Sequence, residues 1–219
     1  MTAASSPTSR VGRDLSVEER RLQVLRAAAR CLAKDGYEAV RLRDIATAAG
    51  VTTGALQHYW VSREELLEQA FEQVSIDLLD RWAAATQSVD HPWEQIVVLV
   101  DQLATAPDVR QHCSLWTEYA ATAGRRAFLR QGFRTIYDAW RELLTRAVHQ
   151  GVVDGCFKPT LATDDIVTIL LTHMDGCELA IAADIDAMTP VELRRLTLDL
   201  AAYLLRFDVV QAQNNPTLS

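Results

Sequence analysis

The chain has 219 residues, 49% of them apolar, and a formal net charge of −7. This composition is typical of a globular protein and argues against wholesale disorder. No apolar run approaches the roughly 20 residues that cross a bilayer, and the polar start lacks the apolar core of a signal peptide. We therefore expect a cytoplasmic protein without a membrane partner.

Positive charge is concentrated at one end of the chain. Residues 1–65 hold ten Lys and Arg against eight Asp and Glu, so the remainder carries a net charge of −9. The overall negative charge repels a polyanion at long range, whereas the basic end could still meet one. A surplus this small is weak evidence for nucleic-acid binding, so any such prediction has to rest on a sequence motif in this region.

The first predicted helix begins at Ser16, which lies three residues before Glu19, as in a capping box. Gly36 ends this helix after a run of apolar side chains at close to helical spacing: Leu22, Leu25, Ala29 and Leu32. Residues 1–14 have no apolar pattern, and we expect them to be a disordered tail. Alternatively, Arg10 and Arg13 in this tail could act as a minor-groove arm.

Two short helices are predicted next. The first carries apolar side chains at i, i+3, i+4 and i+7, namely Leu42, Ile45, Ala46 and Ala49. Gly50 supplies the turn conformation that a side chain would resist. Thr52 can cap the second helix, whose apolar residues face back onto the first: Val51, Leu56 and Tyr59 or Trp60. A pair of this kind is typical of a helix-turn-helix.

The rest of the chain is predicted to be a larger helical bundle, with no convincing strand. Helices are expected at about 62–84, 91–105, 108–123, 125–150, 162–184 and 190–210, which makes nine in all. Gly124, Gly151, Gly155 and Pro159 are the predicted stops, and Pro190 begins the last helix. The predicted fold class is therefore all-α.

The sequence offers no constellation for catalysis or for a metal. There is no E-x-x-H pair, no H-E-x-x-H and no glycine-rich phosphate loop. The four cysteines are far apart and the five histidines are scattered. We therefore predict no enzyme activity, no cofactor and no metal site, and we expect Cys31 and Cys177 to be small core residues.

The segment G-Y-E-A-V-R-L-R-D-I-A-T-A-A-G-V-T-T-G-A-L-Q-H-Y-W-V-S-R-E-E-L-L, residues 36–67, resembles the N-terminal domain of TetR-family regulators. The resemblance implies that residues 52–59 form a recognition helix whose first residues meet base edges in the major groove. Thr53 and Gly54 are then nearest the bases. The residues that the resemblance assigns to DNA contact are Arg41, Arg43, Thr52, Thr53, Gly54, Gln57, His58, Tyr59 and Arg63, with Arg43, Tyr59 and Arg63 on phosphates.

Three positions depart from the family pattern. Trp60 stands where a phenylalanine is usual and is a conservative core exchange. Gln57 replaces a common tyrosine, and base reading, phosphate contact and solvent exposure all remain open for it. Val40 and Arg41 replace small hydroxyl residues, which puts a phosphate contact from an N-cap side chain in doubt, although Arg41 could supply the charge instead.

The C-terminal part resembles the choline-sensing, BetI-type branch through W-T-E-Y-A, Y-D-A-W-R-E-L-L, V-V-D-G-C-F and M-D-G-C-E-L. The resemblance implies a homodimer built from the last two helices of each subunit, and paired recognition helices imply a pseudo-palindromic double-stranded operator. The predicted dimer residues are Ile166, Ile169, Leu170, His173, Leu193, Leu196, Leu200 and Leu204.

We divide the chain into a tail (1–14), a helix-turn-helix domain (15–61), a ligand-sensing and dimerisation domain (62–210) and a second tail (211–219). Aromatic and polar residues on the middle helices could line an effector pocket or only the core. The candidates are Trp116, Tyr119, Phe133, Tyr137, Trp140, His173, Cys177 and Glu178. An aromatic cage with Glu178 could hold a quaternary ammonium.

The sequence therefore predicts a dimeric repressor that a small molecule releases from DNA. The alternative is a helix-turn-helix protein without a small-molecule effector, either regulated by a partner protein or architectural.

Overall fold

The computed structural model describes residues 16–208. Within that range it contains nine helices and no strand, which confirms the predicted all-α class. The helices are α1 (Val17–Ala39), α2 (Leu42–Ala49), α3 (Thr53–Tyr59), α4 (Arg63–Gln87), α5 (Pro92–Ala104), α6 (Val109–Arg125), α7 (Ala127–Val153), α8 (Thr163–Ala182) and α9 (Pro190–Leu205). None of these nine is long and apolar enough to cross a membrane. Arg10, Arg13 and the predicted tails at 1–14 and 211–219 lie outside the described residues.

The N-terminal unit is built by local signals that the sequence displays. Ser16 Oγ accepts from the Glu19 N–H at 3.2 Å, and a Glu19 carboxylate oxygen accepts from the Ser16 N–H at 2.8 Å, so the capping box is present. Gly36 interrupts α1 with a φ of 75°, in the left-handed region that favours glycine. Gly50 ends α2 with a φ of 68°, and the Gln23 amide donates to the Ala49 carbonyl at 3.0 Å. These contacts fix α1 to α2.

α4 packs in both hydrophobic cores and so connects the two parts of the molecule. Its first half contributes Leu66 and Phe71 to a core shared with α1, α2 and α3, and its second half contributes Leu78 and Trp82 to a core shared with α5, α7, α8 and α9. Leu115, Tyr119 and further apolar residues of α6 and α7 belong to the first of these cores. The predicted boundary at residue 62 therefore falls at the start of a helix, but packing continues across it.

The helix ends differ from the predictions at two glycines. Gly124 and Gly151 lie one and two residues before the last residues of α6 and α7, so both helices end slightly beyond the predicted stops. A Cβ at position 151 would overlap the ring of Phe157, which shows that this glycine permits a close approach and does not end the helix. Gly155, with a φ of 75°, lies in the turn that follows α7.

The cysteines follow the prediction made for them. Cys31 and Cys177 are 9% and 3% exposed and pack in the two cores, as expected for small apolar side chains.

Candidate DNA-binding surface and effector site

The inner face of α3 is fixed by apolar packing. Leu56 and Trp60 are 1% and 3% exposed in the core shared with α1 and α2. The Trp60 indole donates to the Gln69 side-chain oxygen at 2.8 Å, which ties the end of α3 to α4. Thr52 Oγ1 accepts from the Ala55 N–H at 3.2 Å and begins the helix as predicted. The short helix is thus held on two sides.

The outer face of α2 and α3 is open to solvent. Tyr59 is half-buried, and the other predicted contact residues on these helices and their caps are exposed: Arg41, Arg43, Thr52, Thr53, Gly54, Gln57 and His58. Arg41 occupies the N-cap of α2 and makes no side-chain capping bond. The Arg43 guanidinium lies 3.5 Å from the Asp44 carboxylate at the surface. This surface offers amide, hydroxyl and basic groups, the chemistry that contacts bases and phosphates.

Arg63 has a different place from the one predicted. Its guanidinium donates to the backbone carbonyls of Tyr37 and Val40, the latter at 2.6 Å, and lies 4.9 Å from the centre of the Tyr37 ring. The group also approaches the Glu64 carboxylate at 3.2 Å. Because its guanidinium donates to two backbone carbonyls, Arg63 holds α4 against the end of α1, and we expect it to be less available to a phosphate than Arg43.

The predicted aromatic residues converge between α4, α6 and α7. Trp116 stacks on Phe133 with ring centres 4.6 Å apart, and Tyr119 meets the same ring edge-on at 5.4 Å. Tyr137 lies 6.3 Å from Phe133, and Trp140 lies 6.5 Å from Trp116. The structure thus brings these five candidate side chains into one cluster, a convergence that the sequence left open.

A small cavity of about 20 Å³ lies against this cluster, lined in part by Phe71, His112, Trp116 and Tyr119. That volume holds about one water molecule. A larger ligand can therefore enter only if the surrounding side chains or helices move.

Two carboxyl groups of α8 lie next to this region, Asp175 against the aromatic cluster and Glu178 against His112 of the cavity wall. The Trp116 indole donates to Asp175 at 3.1 Å, and Tyr137 is hydrogen-bonded to the same carboxyl. Glu178 is 2% exposed; one of its oxygens lies 3.6 Å from His112 Nε2, and the other has no hydrogen-bond partner among residues 16–208. An unpartnered buried carboxyl oxygen is costly and therefore marks a place that a ligand group could satisfy.

Burial sets the protonation of this site. It raises the pKa of Glu178 well above its ordinary value, and the nearby Asp175 adds to the shift. The pKa of Asp175 is raised by burial, against the opposing hydrogen bonds from Trp116 and Tyr137. Burial, with a smaller contribution from Arg81, lowers the pKa of His112 to about 4. The environment thus disfavours charge on all three groups unless an opposite charge arrives.

The remaining predicted effector residues lie at one edge of this site. Cys177 Sγ is 3.6 Å from His173 Nε2 on the same helix. Burial raises the pKa of the Cys177 thiol, which suits a core residue better than a reactive one.

The sequence did not single out Asp175, His112 or Phe71 as part of this site. Asp175 carried a signal, because an acidic residue within an apolar helix is rarely buried unless it has a partner. His112 and Phe71 carried none, since only the packing of α4 against α6 brings them to the cavity.

The structure divides the predicted dimer residues into two groups. Ile166, Leu170 and Leu193 are 0–1% exposed inside the protomer, so their side chains are not available to a partner, contrary to expectation. Ile169 is 36% exposed, and the others are half-buried: His173, Leu196, Leu200 and Leu204. Leu179, which also belongs to the apolar pattern of these two helices, is 58% exposed, and Tyr203, which the sequence did not single out, is 80% exposed.

The N-terminal unit has three helices and exposes the short helix α3. The long helix α4 joins this unit to a bundle whose interior is aromatic and acidic. This arrangement defines a helix-turn-helix transcriptional regulator. Residues 24–70 match the family model for bacterial regulatory proteins of the tetR family, and residues 92–206 match that for the C-terminal domain of BetI-type transcriptional repressors. The chain therefore belongs to the TetR family, with a C-terminal domain of the BetI type, which confirms the resemblance and the DNA-binding repressor function predicted from it.

Individual relatives agree with this assignment. The chain is 29% identical over 151 residues to the transcriptional repressor KstR2 of Mycobacterium tuberculosis. The aligned residues make up 68% of this chain and 74% of the relative. A transcriptional regulator from Saccharomonospora viridis in complex with choline matches the fold with a TM-score of 0.77 and 23% identity, over 83% of this chain and 95% of that one. FadR of Bacillus subtilis in complex with stearoyl-CoA matches with a TM-score of 0.67 and 19% identity, over 82% and 96% of the two chains.

Proposed function

We propose that this protein acts as a homodimer on a pseudo-palindromic operator in the cytoplasm and that a small organic cation releases it. The cation binds among the aromatic rings of α6 and α7, over the carboxyl groups of Asp175 and Glu178. The observation that carries the proposal is the Glu178 carboxyl, which is buried against His112 of the cavity wall and has one oxygen unpartnered within residues 16–208.

The chemistry of the cluster favours a cation over an anion. Aromatic faces attract cations, by about 2 kcal/mol or more when the pair is desolvated. A buried carboxyl that gains a positive neighbour ionises, and the resulting ion pair compensates for its burial. An acyl-CoA such as the stearoyl-CoA bound by the FadR relative carries no positive charge that could pair with these carboxyls.

The dimer is supported by an apolar stripe that continues across two helices. Ile169, Gly176 and Leu179 share one face of α8 at helical spacing, and Leu200 and Tyr203 share one face of α9. Contiguous exposed apolar surface of this kind is typical of an interface, and two recognition helices one helical turn of DNA apart require a two-fold axis.

The test begins with fluorescence anisotropy of DNA from directly upstream of the gene against a scrambled duplex, across a range of salt concentrations. We expect a preference of at least about a thousandfold for the native fragment. Choline chloride and stearoyl-CoA are then titrated into the complex. Release by the cation, abolished by Glu178→Gln, supports the proposal.

Release by stearoyl-CoA alone would show that the effector class is wrong. Equal binding to both duplexes, lost as salt rises, would favour the architectural alternative.

A further inference from the structure

We propose that Glu118 couples the effector site to the recognition helices by holding the backbone of residues 36–40. This segment is the end of α1 after the kink at Gly36, together with its C-cap, and is called here the α1–α2 connector. This inference rests on the proposed effector site, and it assigns a role to a residue outside it. Glu118 is a positioning residue: its carboxylate accepts from the Tyr37 N–H and from Thr122, outside the aromatic cluster.

The first contact is a hydrogen bond between α6 and the backbone of the connector. The Tyr37 N–H donates to the Glu118 carboxylate at 2.7 Å, directly after Gly36 with its φ of 75°. The carboxylate also lies over Gly36, where a Cβ would be in ordinary van der Waals contact with it at 3.5 Å. Thr122, which is 1% exposed, donates to the same carboxylate oxygen at 3.1 Å and fixes its orientation.

Two arginines complete the attachment of the connector. The guanidinium groups of Arg63 and Arg126 lie 4.9 and 5.2 Å from the centre of the Tyr37 ring, which is 1% exposed. Arg126, at the junction of α6 and α7, also binds the Glu38 carboxylate at 2.8 Å. The connector is thus held from α4 on one side and from α6 on the other, and it leads directly into α2.

The cavity explains why α6 must respond to a ligand. His112, Trp116 and Tyr119 of α6 line a space of about 20 Å³, so a ligand larger than water displaces these side chains or the helix itself. Packed helices shift as rigid bodies because side chains between them are close-packed and leave little room for local rearrangement. Glu118 lies between Trp116 and Tyr119 in the sequence, so a shift of α6 carries the carboxylate with it. Its charge-assisted bond to the Tyr37 N–H then moves the connector.

Coupling is reciprocal, so the same link can be tested from the DNA side without an identified effector. The probe is a duplex selected from a random library by the wild-type protein. Hydrogen–deuterium exchange is measured over α6, residues 109–125, with and without that duplex. Three variants are compared with the wild type: Glu118→Ala, Glu118→Gln, whose amide oxygen can still accept from Tyr37, and Glu94→Ala, an exposed glutamate on α5.

We expect DNA to slow exchange in α6 of the wild type and of Glu94→Ala. In Glu118→Ala this change should shrink by about 2- to 30-fold, while Glu118→Gln should retain most of it. A role in stability alone would lower the melting temperature of Glu118→Ala without removing the response. If that variant does not fold, Thr122→Val removes the supporting hydroxyl and should weaken the response in the same direction.

The coupling role would be overturned if Glu118→Ala kept the full α6 response to DNA. If that variant is unfolded, a full response in Thr122→Val would overturn it instead. A wild type in which DNA leaves exchange in α6 unchanged would overturn it as well. A wild type that selects no duplex would remove the proposed function, and the coupling with it. The two failures are therefore distinguishable.

Discussion

Arg63 illustrates how one side chain changes role once its neighbours are known. In sequence it follows the recognition helix and has the chemistry of a phosphate contact. In the folded chain its donors are used by the carbonyls of Tyr37 and Val40. Arg43, by contrast, is an exposed arginine of the same unit with a single surface contact to Asp44. We therefore expect Arg63 to contribute mainly to stability and Arg43 mainly to the electrostatic attraction for DNA.

Arg63→Ala should lower the free energy of unfolding by about 1–3 kcal/mol, because two buried carbonyls lose their donor. The slope of log K for DNA against log salt should stay unchanged. Arg43→Ala should leave stability within about 0.5 kcal/mol and reduce that slope by roughly one unit, as for one lost phosphate contact. Urea denaturation and salt-dependent anisotropy measure the two effects. A reduced slope in the Arg63 variant would restore the prediction made from sequence.

The buried acids of α8 predict an unusual dependence of stability on pH. The folded-state pKa values of Asp175 and Glu178 are raised, so their contribution to stability is present below the ordinary carboxyl range and is lost as pH rises through the raised values. His112 acts oppositely. Its pKa is lowered from 6.5 to about 4, so its contribution is present above 6.5 and is lost as pH falls toward 4.

Glu178→Gln should therefore flatten the decline in stability as pH rises from the ordinary carboxyl range through neutral, because the amide has no proton to lose. Urea denaturation at fixed protein concentration across this range measures the slope. Glu94→Gln, at an exposed position, is the matched control and should leave the slope unchanged. Parallel curves for the Glu178 variant and the wild type would contradict the assignment.

At the scale of the helices, Gly151 shows that an apparent helix stop can be a packing feature. The glycine lies within α7, and the ring of Phe157 occupies the space where a side chain would stand. Gly124 lies within α6 with no atom near the position of its Cβ, so the two glycines differ only in their surroundings.

Gly151→Ala should destabilise the protein by about 1–3 kcal/mol, because the new methyl group displaces Phe157 from the core. Gly124→Ala should stabilise it by about 0.4–1 kcal/mol, because alanine favours the helix and no neighbour obstructs it. Thermal and urea denaturation of the two variants provide the comparison. Equal effects of the same sign would mean that helix propensity, and not packing, decides both positions.

At the scale of the whole molecule, the exposed face of α8 and α9 predicts the oligomeric state. Leu179→Asp or Tyr203→Asp should convert the dimer to monomers at micromolar concentration, because each places a charge within an apolar interface. Val17→Asp, on α1 at a position 67% exposed, should leave the dimer intact. Light scattering after size exclusion measures the mass. A dimer that survives both substitutions would place the interface elsewhere.

Loss of the dimer should also weaken operator binding strongly, because each half-site would then be bound alone. The same duplex in an anisotropy titration reports this effect.

Much of the DNA-binding unit could be predicted because its signals are local. A Ser cap with its glutamate, an apolar stripe and a glycine turn each act within a few residues, so the pattern determines the two short helices and the exposed outer face. The five aromatic residues of the effector cluster could be listed as candidates from the sequence, but their convergence could not, because it depends on how α6 and α7 pack.

By itself, the sequence determined the all-α class, the helix-turn-helix, the family and the residue types available to the effector site. Only the tertiary structure decided that Arg63 holds a backbone, that Asp175 and His112 join the aromatic cluster, that Ile166 faces inward while Ile169 faces outward, and that Glu118 reaches the α1–α2 connector. The physical reason is that each of these depends on contacts between helices far apart in the chain, where periodicity identifies an apolar face but not its neighbour.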